Sequence, residues 1–146
     1  MRKEIWFDMD GTFVDLYGVE GWLNDIINEN ARPYEIAKPL VNLASLARVL
    51  NRLQKNGYKI GIISWLARGA SENYNEVVTS AKIGWLKSHM PSVKWNEIKI
   101  VEYGTYKEVA CNYSNGILFD DEIPNREYWR GRAYDVDNII EVLKSL

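Results

Sequence analysis

Short apolar runs of strand length alternate along this chain with apolar residues at helical spacing. The runs of strand character are EIWFD at 4–8, YKIGIIS at 58–64, IKIVE at 98–102 and GILFDD at 116–121, with a weaker one at 133–136. Helical segments are expected at 40–53, at 72–89, from about Lys107 and at 137–146. Because adjacent parallel strands need a crossover connection, this alternation predicts an α/β fold. It should be a three-layer, Rossmann-like parallel sheet with helices on both faces.

The length of the chain indicates one domain. Its 146 residues are 47% hydrophobic, which is enough for one core, and no internal repeat is present. The segment 12–39 interrupts the strand and helix pattern with Gly18, Gly21, Pro33 and Pro39. We therefore predict a single domain over 1–146, with a small flap or minimal cap inserted at about 12–39. A short helix is expected in that insertion at 21–28.

Charge and cysteine content exclude several classes of protein. The formal net charge is −2, and Lys and Arg are spread along the chain, so no basic face for nonspecific nucleic-acid binding is expected. The single cysteine, Cys111, cannot form an internal disulfide, and no Cys/His cluster suits zinc. No apolar signal region and no stretch long enough to cross a bilayer are seen. These features predict a cytoplasmic protein that does not enter a membrane.

Polar residues collect where the predicted strands end. They are Asp8 and Asp10 after the first strand, Ser64 at the end of the second, Lys107 after the third, and Asp120 and Asp121 at the end of the fourth. Ligands of open α/β sheets bind beyond the carboxyl ends of the strands. The sequence therefore predicts that these segments form one site at that edge of the sheet.

The acidic residues of this set suit a hard divalent cation. Carboxylates at close range repel one another unless a cation lies between them. Oxygen ligands with an open face favour Mg²⁺, which keeps several waters and accepts a phosphate oxygen. Lys107 would add positive charge, and Ser64 a hydrogen-bond donor, for the phosphoryl oxygens. The predicted metal ligands are Asp8, Asp10, Asp120 and Asp121.

Two of the aspartates have the positions that a two-step phosphoryl transfer needs. A carboxylate can act as the nucleophile and form an aspartyl-phosphate, which divides one difficult displacement into two easier ones. We assign that role to Asp8. Asp10, two residues later, could protonate the leaving alcohol and then activate the hydrolytic water.

These residues resemble the haloacid dehalogenase superfamily of phosphohydrolases. The segment Asp8-Met9-Asp10-Gly11-Thr12 is similar to the first motif of that family. Ser64, Lys107 and the pair Asp120-Asp121 are similar to its second, third and fourth motifs, and they occur in the same order. The resemblance implies a nucleophilic Asp8, an acid/base Asp10, and phosphate binding by Ser64, Lys107, Gly11 and Thr12. It also implies that magnesium is held by the Asp8 carboxylate, the Asp10 backbone carbonyl, and one or both of Asp120 and Asp121.

A finer resemblance points to a substrate class. The regions 117–129 and 103–105 are similar to small bacterial and phage proteins related to deoxyribonucleotidases, which implies a small phosphorylated substrate of the nucleoside monophosphate type. Such relatives often carry a helical cap after the first motif, whereas only 12–39 is available here. Either the site is open, or a second subunit of a homodimer covers it. Tyr17, Trp22 and Trp65 are candidates for stacking on a base, although packing accounts for them equally well.

Other readings of the same residues stay open. A phosphatase acting on a nucleic-acid end would suit a shallow site, although the near-neutral charge argues against it. A regulatory module could bind phosphate and magnesium without turnover, yet Asp8 and Asp10 are both intact. A response-regulator receiver uses similar residues, but its phosphorylated Asp belongs on a middle strand, and 58–64 and 98–102 offer none.

Overall fold

The structure, a computed structural model, describes residues 2–146. Its strands are β1 (Glu4–Phe7), β2 (Val14–Asp15), β3 (Lys38–Pro39), β4 (Lys59–Trp65), β5 (Glu97–Val101), β6 (Ile117–Phe119) and β7 (Arg132–Tyr134). Five of them form one parallel sheet in the order β5-β4-β1-β6-β7, and β2 pairs antiparallel with β3 in a separate ribbon. The predicted α/β fold with a parallel sheet is confirmed.

The helices lie between the strands as the pattern indicates. They are α1 (Trp22–Ile27), α2 (Arg32–Ile36), α3 (Leu43–Lys55), α4 (Glu72–His89), α5 (Lys107–Ala110), α6 (Ile123–Tyr128) and α7 (Ile139–Lys144), with a 3₁₀ turn at Val136–Asn138. Helices α2 and α6 were not expected from the sequence. Both have proline in the first turn, a position that needs no backbone N–H. Within residues 2–146, no helix is both long and apolar enough to cross a bilayer.

The two long helices begin at side-chain caps. The Asn42 side chain accepts from the backbone N–H of Ser45 at the start of α3, and the Ser71 hydroxyl accepts from that of Tyr74 at the start of α4. Such a cap satisfies a donor that the first turn of a helix leaves free. The helix expected from Leu40 therefore starts later, at Leu43 after the cap residue Asn42, and the Leu40 side chain is exposed.

The central strands are buried on both faces. In β1, Ile5 and Phe7 pack into the large core with α3, α4 and α7, whereas Trp6 packs on the opposite face. This alternation is the two-residue period of a strand. The Phe7 ring stacks on Phe119 with centroids 5.2 Å apart. β1 is thus fixed between two apolar layers, which holds the residues that follow it in place.

The insertion is attached to the start of α4. The Glu29 carboxylate accepts from the backbone N–H and the hydroxyl of Ser71, at 2.9 and 2.7 Å, and the Tyr74 hydroxyl donates to the carbonyl of Asn30. Tyr34 of α2 packs in the same apolar cluster as Tyr74. Helix α1 buries none of its residues, and its Trp22, Leu23, Ile26 and Ile27 instead line a cleft at the carboxyl edge of the sheet.

Candidate active site

A cleft of about 600 Å³ lies at the carboxyl edge of the sheet. It brings together five of the residues that the sequence singled out: Asp8, Asp10, Lys107, Asp120 and Asp121. Asp8 directly follows β1, the acidic pair follows β6, and Lys107 begins α5. Because β1 lies between β4 and β6, these segments meet at the middle of the sheet.

Both oxygens of the Asp8 carboxylate are held. Lys107 Nζ donates to Oδ1 and Thr12 Oγ1 donates to Oδ2, each at 3.0 Å. The backbone turns sharply at Gly11, whose φ of +81° favours glycine, and a Cβ there would collide with the carboxylate of Asp121. The turn therefore presents the Asp8 carboxylate in one orientation, close to the acidic pair.

Lys107 is a buried cation between two carboxylates. Its Nζ lies 3.0 Å from Asp8 Oδ1 and 2.7 Å from Asp120 Oδ2, and its side chain is 2% exposed. Burial alone would lower the pKa of Lys107, but the two carboxylates outweigh it and raise this pKa to about 12. Lys107 is thus a permanent positive charge beside Asp8.

The two acids after β6 differ in how far their oxygens are engaged. Asp120 accepts from the backbone N–H of Glu122 at 2.9 Å, from Lys107 and from Asn125 Nδ2 at 3.2 Å. Apart from Asp8, no side chain within residues 2–146 forms a hydrogen bond with Asp121. Burial, reinforced by the Asp8 carboxylate, raises the pKa of both acids above the usual range for aspartate.

The acidic group has the composition of a site for a hard divalent cation. Oxygen atoms of Asp8, Asp120 and Asp121 all lie within 4.8 Å of one another. The raised pKa of the acidic pair reflects burial and a repulsion that a cation would relieve. The carboxylate of Asp10, also predicted as a ligand, does not belong to this group. The implied contribution of its backbone carbonyl stays a prediction.

The Asp10 carboxylate pairs instead with a lysine that the sequence reasoning missed. Lys82 Nζ lies 2.9 Å from Asp10 Oδ2, and the Lys82 side chain is 1% exposed. The available signal was its spacing: Tyr74, Val78 and Lys82 recur every four residues on the buried face of α4. Burial raises the pKa of the Asp10 carboxyl, and the charge of Lys82 opposes this rise.

Three residues predicted to bind phosphate do not line the cleft. Ser64 is fully buried, and its Oγ accepts from Lys82 at 2.8 Å. Thr12 is also fully buried, with its hydroxyl on Asp8. Gly11 shapes the turn described above. Their contact with a phosphate group stays a prediction.

Aromatic side chains from two parts of the chain line the rest of the cleft. Tyr17 and Trp22 of the insertion pack edge to face with ring centroids 4.9 Å apart. Trp65, at the end of β4, packs on Tyr103 with centroids 5.1 Å apart. The guanidinium of Arg68 lies 6.0 Å from the Tyr103 ring. The cleft thus combines charged side chains at the carboxyl edge of the sheet with aromatic side chains around them.

Comparison with known proteins shows the fold. The structure is similar to the crystal structure of D,D-heptose 1,7-bisphosphate phosphatase from Burkholderia thailandensis, with a TM-score of 0.61 and 11% sequence identity. The match covers 99% of this chain and 97% of that one. No protein-family model and no curated protein sequence matches the chain.

Proposed function

We propose that this chain is a magnesium-dependent phosphomonoester hydrolase of the haloacid dehalogenase type, acting through an aspartyl-phosphate on Asp8. The observation that carries the proposal is the Asp8 carboxylate itself. It lines the cleft, it is oriented by Lys107 and Thr12, and it belongs to an acidic group suited to a cation. The similar structure, which shares the fold over nearly its whole length, is named as a phosphatase.

The chain's own residues account for both steps of hydrolysis. An Asp8 oxygen attacks phosphorus while the bond to the leaving oxygen breaks, and Asp10 donates a proton to that oxygen. Asp10 then takes a proton from a water molecule, whose oxygen attacks the phosphorus of the aspartyl-phosphate. Asp8 is released with inorganic phosphate as the product. Lys107 stabilises the negative charge on the transferring group throughout.

The carboxylates of Asp8 and Asp121 are the best placed metal ligands. The Asp120 oxygens already accept from Lys107, Asn125 and the Glu122 backbone, so this residue has less capacity left for direct coordination. Magnesium, when bound, would neutralise carboxylate charge and polarise the phosphoryl group. Asp120 then serves to orient Lys107, as outer residues of metal sites commonly do for their neighbours.

Magnesium affinity should increase with pH. Burial, together with the Asp8 carboxylate, raises the pKa of Asp121 to about 8 in the metal-free protein. Below that pH the carboxyl is protonated, and magnesium must displace the proton, so affinity should fall by roughly tenfold per pH unit. Above it the affinity should level off. Titration calorimetry in buffers of different ionisation enthalpy would measure the proton released.

The matched control for this titration is Asp121→Asn. It should bind magnesium more weakly, and its affinity should vary much less with pH because the titrating ligand is gone. If the magnesium affinity of the unmodified chain does not fall as the pH is lowered below about 8, the assignment of Asp121 as a ligand is wrong.

The cleft favours a substrate with one phosphate and an aromatic leaving group. Arg68 and Lys107 are the only basic residues that line it within residues 2–146, whereas Tyr17, Trp22, Trp65 and Tyr103 supply aromatic surface. Nucleobases stack on such side chains without needing specific hydrogen bonds. We therefore propose nucleoside monophosphates as the substrate class.

Tyr103→Ala should raise the KM for nucleoside monophosphates by about 5- to 150-fold, since a base–aromatic stack is worth roughly 1–3 kcal/mol. Tyr103 is 51% exposed, so the loss of its ring should cost little stability. The kcat should stay nearly constant, and sugar phosphates should be unaffected. Steady-state kinetics on both substrate types, with Tyr128→Ala as an exposed control outside the cleft, would measure this. Equal effects on both substrate types would argue against stacking.

The function itself is tested by phosphate release from a panel of nucleoside monophosphates, sugar phosphates and a 3′-phosphorylated oligonucleotide, with and without a magnesium chelator. Magnesium-dependent release from the nucleotides alone is the expected result. Release confined to the oligonucleotide would favour a phosphatase acting on nucleic-acid ends. No release from any compound would favour a binding module without turnover.

A further inference from the structure

Lys82 is a second buried lysine at the site, in addition to Lys107. It lies in the middle of α4, and lysine is almost never fully buried unless it is paired. Its ammonium group forms the ion pair with Asp10 Oδ2 and donates to Ser64 Oγ at 2.8 Å and to the Trp65 carbonyl at 2.7 Å. The three N–H groups of the ammonium are thus directed at three oxygen atoms.

These contacts leave Lys82 no access to a substrate. It is not among the residues that line the cleft, whereas Asp10 is. Its Nζ lies 5.3 Å from the centroid of the Tyr34 ring, which covers it on another side. Any effect of Lys82 on a reaction in the cleft must therefore pass through the groups it holds.

The group of greatest consequence is the Asp10 carboxylate. Lys82 engages Oδ2, and no side-chain or backbone donor to Oδ1 is found in the described part of the chain. One oxygen of Asp10 is thus fixed while the other remains free to exchange a proton. A carboxylate held in this way has one orientation rather than several, which is the requirement for efficient proton transfer.

Ser64 and the Trp65 carbonyl fix the lysine in turn. An ammonium group has no lone pair, so Ser64 Oγ must accept from Lys82. Both residues belong to β4, so the position of the ammonium is set by the sheet as well as by α4. The neighbours of Lys82 on the buried face of α4 are Val78 and Trp85. An apolar side chain at position 82 would pack beside them without the cost of burying a charge.

We propose that Lys82 is a positioning residue that holds the Asp10 carboxylate for proton transfer to the leaving oxygen and from the hydrolytic water. This inference rests on the proposed function. It adds a residue from α4 to the site, and it gives the buried Ser64 a defined role as an anchor for that lysine. Lys82 does not itself exchange a proton or contact the phosphoryl group.

The test exploits the different needs of two leaving groups. An alkyl phosphate needs a proton on its leaving oxygen, whereas nitrophenolate leaves without one. With p-nitrophenyl phosphate, Lys82→Met should therefore release about one equivalent of nitrophenol quickly and then turn over slowly, because the second step still needs Asp10. With a nucleoside monophosphate the variant should show no burst, and its kcat should fall by about 10²-fold with little change in KM.

Two further variants complete the test. Lys87→Met, an exposed lysine on the same helix, should behave as the unmodified chain. Lys82→Gln keeps hydrogen-bond donors for Ser64 and Trp65 but lacks the charge, so it should fold even if Lys82→Met does not. It should show the same burst followed by slow turnover.

Normal turnover of the nucleoside monophosphate by Lys82→Gln would overturn the inference. A purely structural role would lower the activity on both substrates equally, in the burst and in the slow phase, in proportion to the fraction of protein that is folded. That result would also overturn the inference. Failure of the proposed function looks different, since the unmodified chain would then release no phosphate from either compound.

Discussion

Asp8→Asn is expected to lower phosphate release by at least about 10⁴-fold, because an amide cannot form the aspartyl-phosphate. The fold should persist, since the amide oxygen can accept from Lys107 while the amide nitrogen donates to the Thr12 hydroxyl. Removing the Asp8 charge also relieves its repulsion of Asp120 and Asp121. Although the ion pair between Lys107 and Asp8 is lost, Lys107 keeps its ion pair with Asp120. The free energy of unfolding of Asp8→Asn without magnesium should therefore stay close to that of the unmodified chain.

The measurement is phosphate release and chemical unfolding on the same preparation. Asp137→Asn, an exposed aspartate far along the chain at the 3₁₀ turn before α7, is the matched control and should leave both unchanged. Substantial turnover by Asp8→Asn, after excluding deamidation by mass spectrometry, would contradict the role of Asp8.

Lys107→Met should affect both stability and activity. Lys107 is the cation between the buried carboxylates of Asp8 and Asp120, and removing one partner of a buried ion pair costs about 3–5 kcal/mol. We expect that loss in the free energy of unfolding without magnesium. Activity should fall by about 10²–10³-fold, the usual effect of losing one group that stabilises transition-state charge.

The stability loss in Lys107→Met should depend on the charge of the acids. Without Lys107, the pKa of Asp120 should rise further, so the variant should be least stable where the carboxyls are ionised, at mildly alkaline pH, and should recover towards acidic pH. Magnesium should restore part of the stability. Urea unfolding with and without magnesium, with exposed Lys55→Met as the control, measures both effects. A loss that is independent of pH and of magnesium would show that packing, rather than charge, explains the effect.

The sequence was informative where local rules dominate. The alternation of apolar runs and helical stripes predicted the parallel sheet, and α4 spans the expected 72–89. Asp8 and the acidic pair after β6 were found because they follow buried strands whose ends meet at one edge. The insertion was predicted with only one helix, because Pro33 was taken as a break whereas it lies in the first turn of α2.

Contacts that depend on tertiary packing could not be predicted from the sequence. On α4, the apolar Val77 is 50% exposed, while the charged Lys82 occupies a buried position. A lysine within a helix is expected to face solvent unless oxygen acceptors from other elements lie next to its ammonium group. The acceptors for Lys82 come from β4 and from the turn after β1. Likewise, nothing local indicated that Ser64 bonds to Lys82 rather than lining the cleft.

The central claim is the covalent intermediate on Asp8, and the most direct measurement is to trap it. Protein quenched in acid during turnover of its preferred substrate with magnesium would be reduced with borohydride, which converts an aspartyl-phosphate to homoserine, and mapped by peptide mass spectrometry. We expect homoserine at position 8 in the presence of substrate, and none in Asp8→Asn. Homoserine at another aspartate, or rapid turnover without any reduced residue at position 8, would contradict this mechanism.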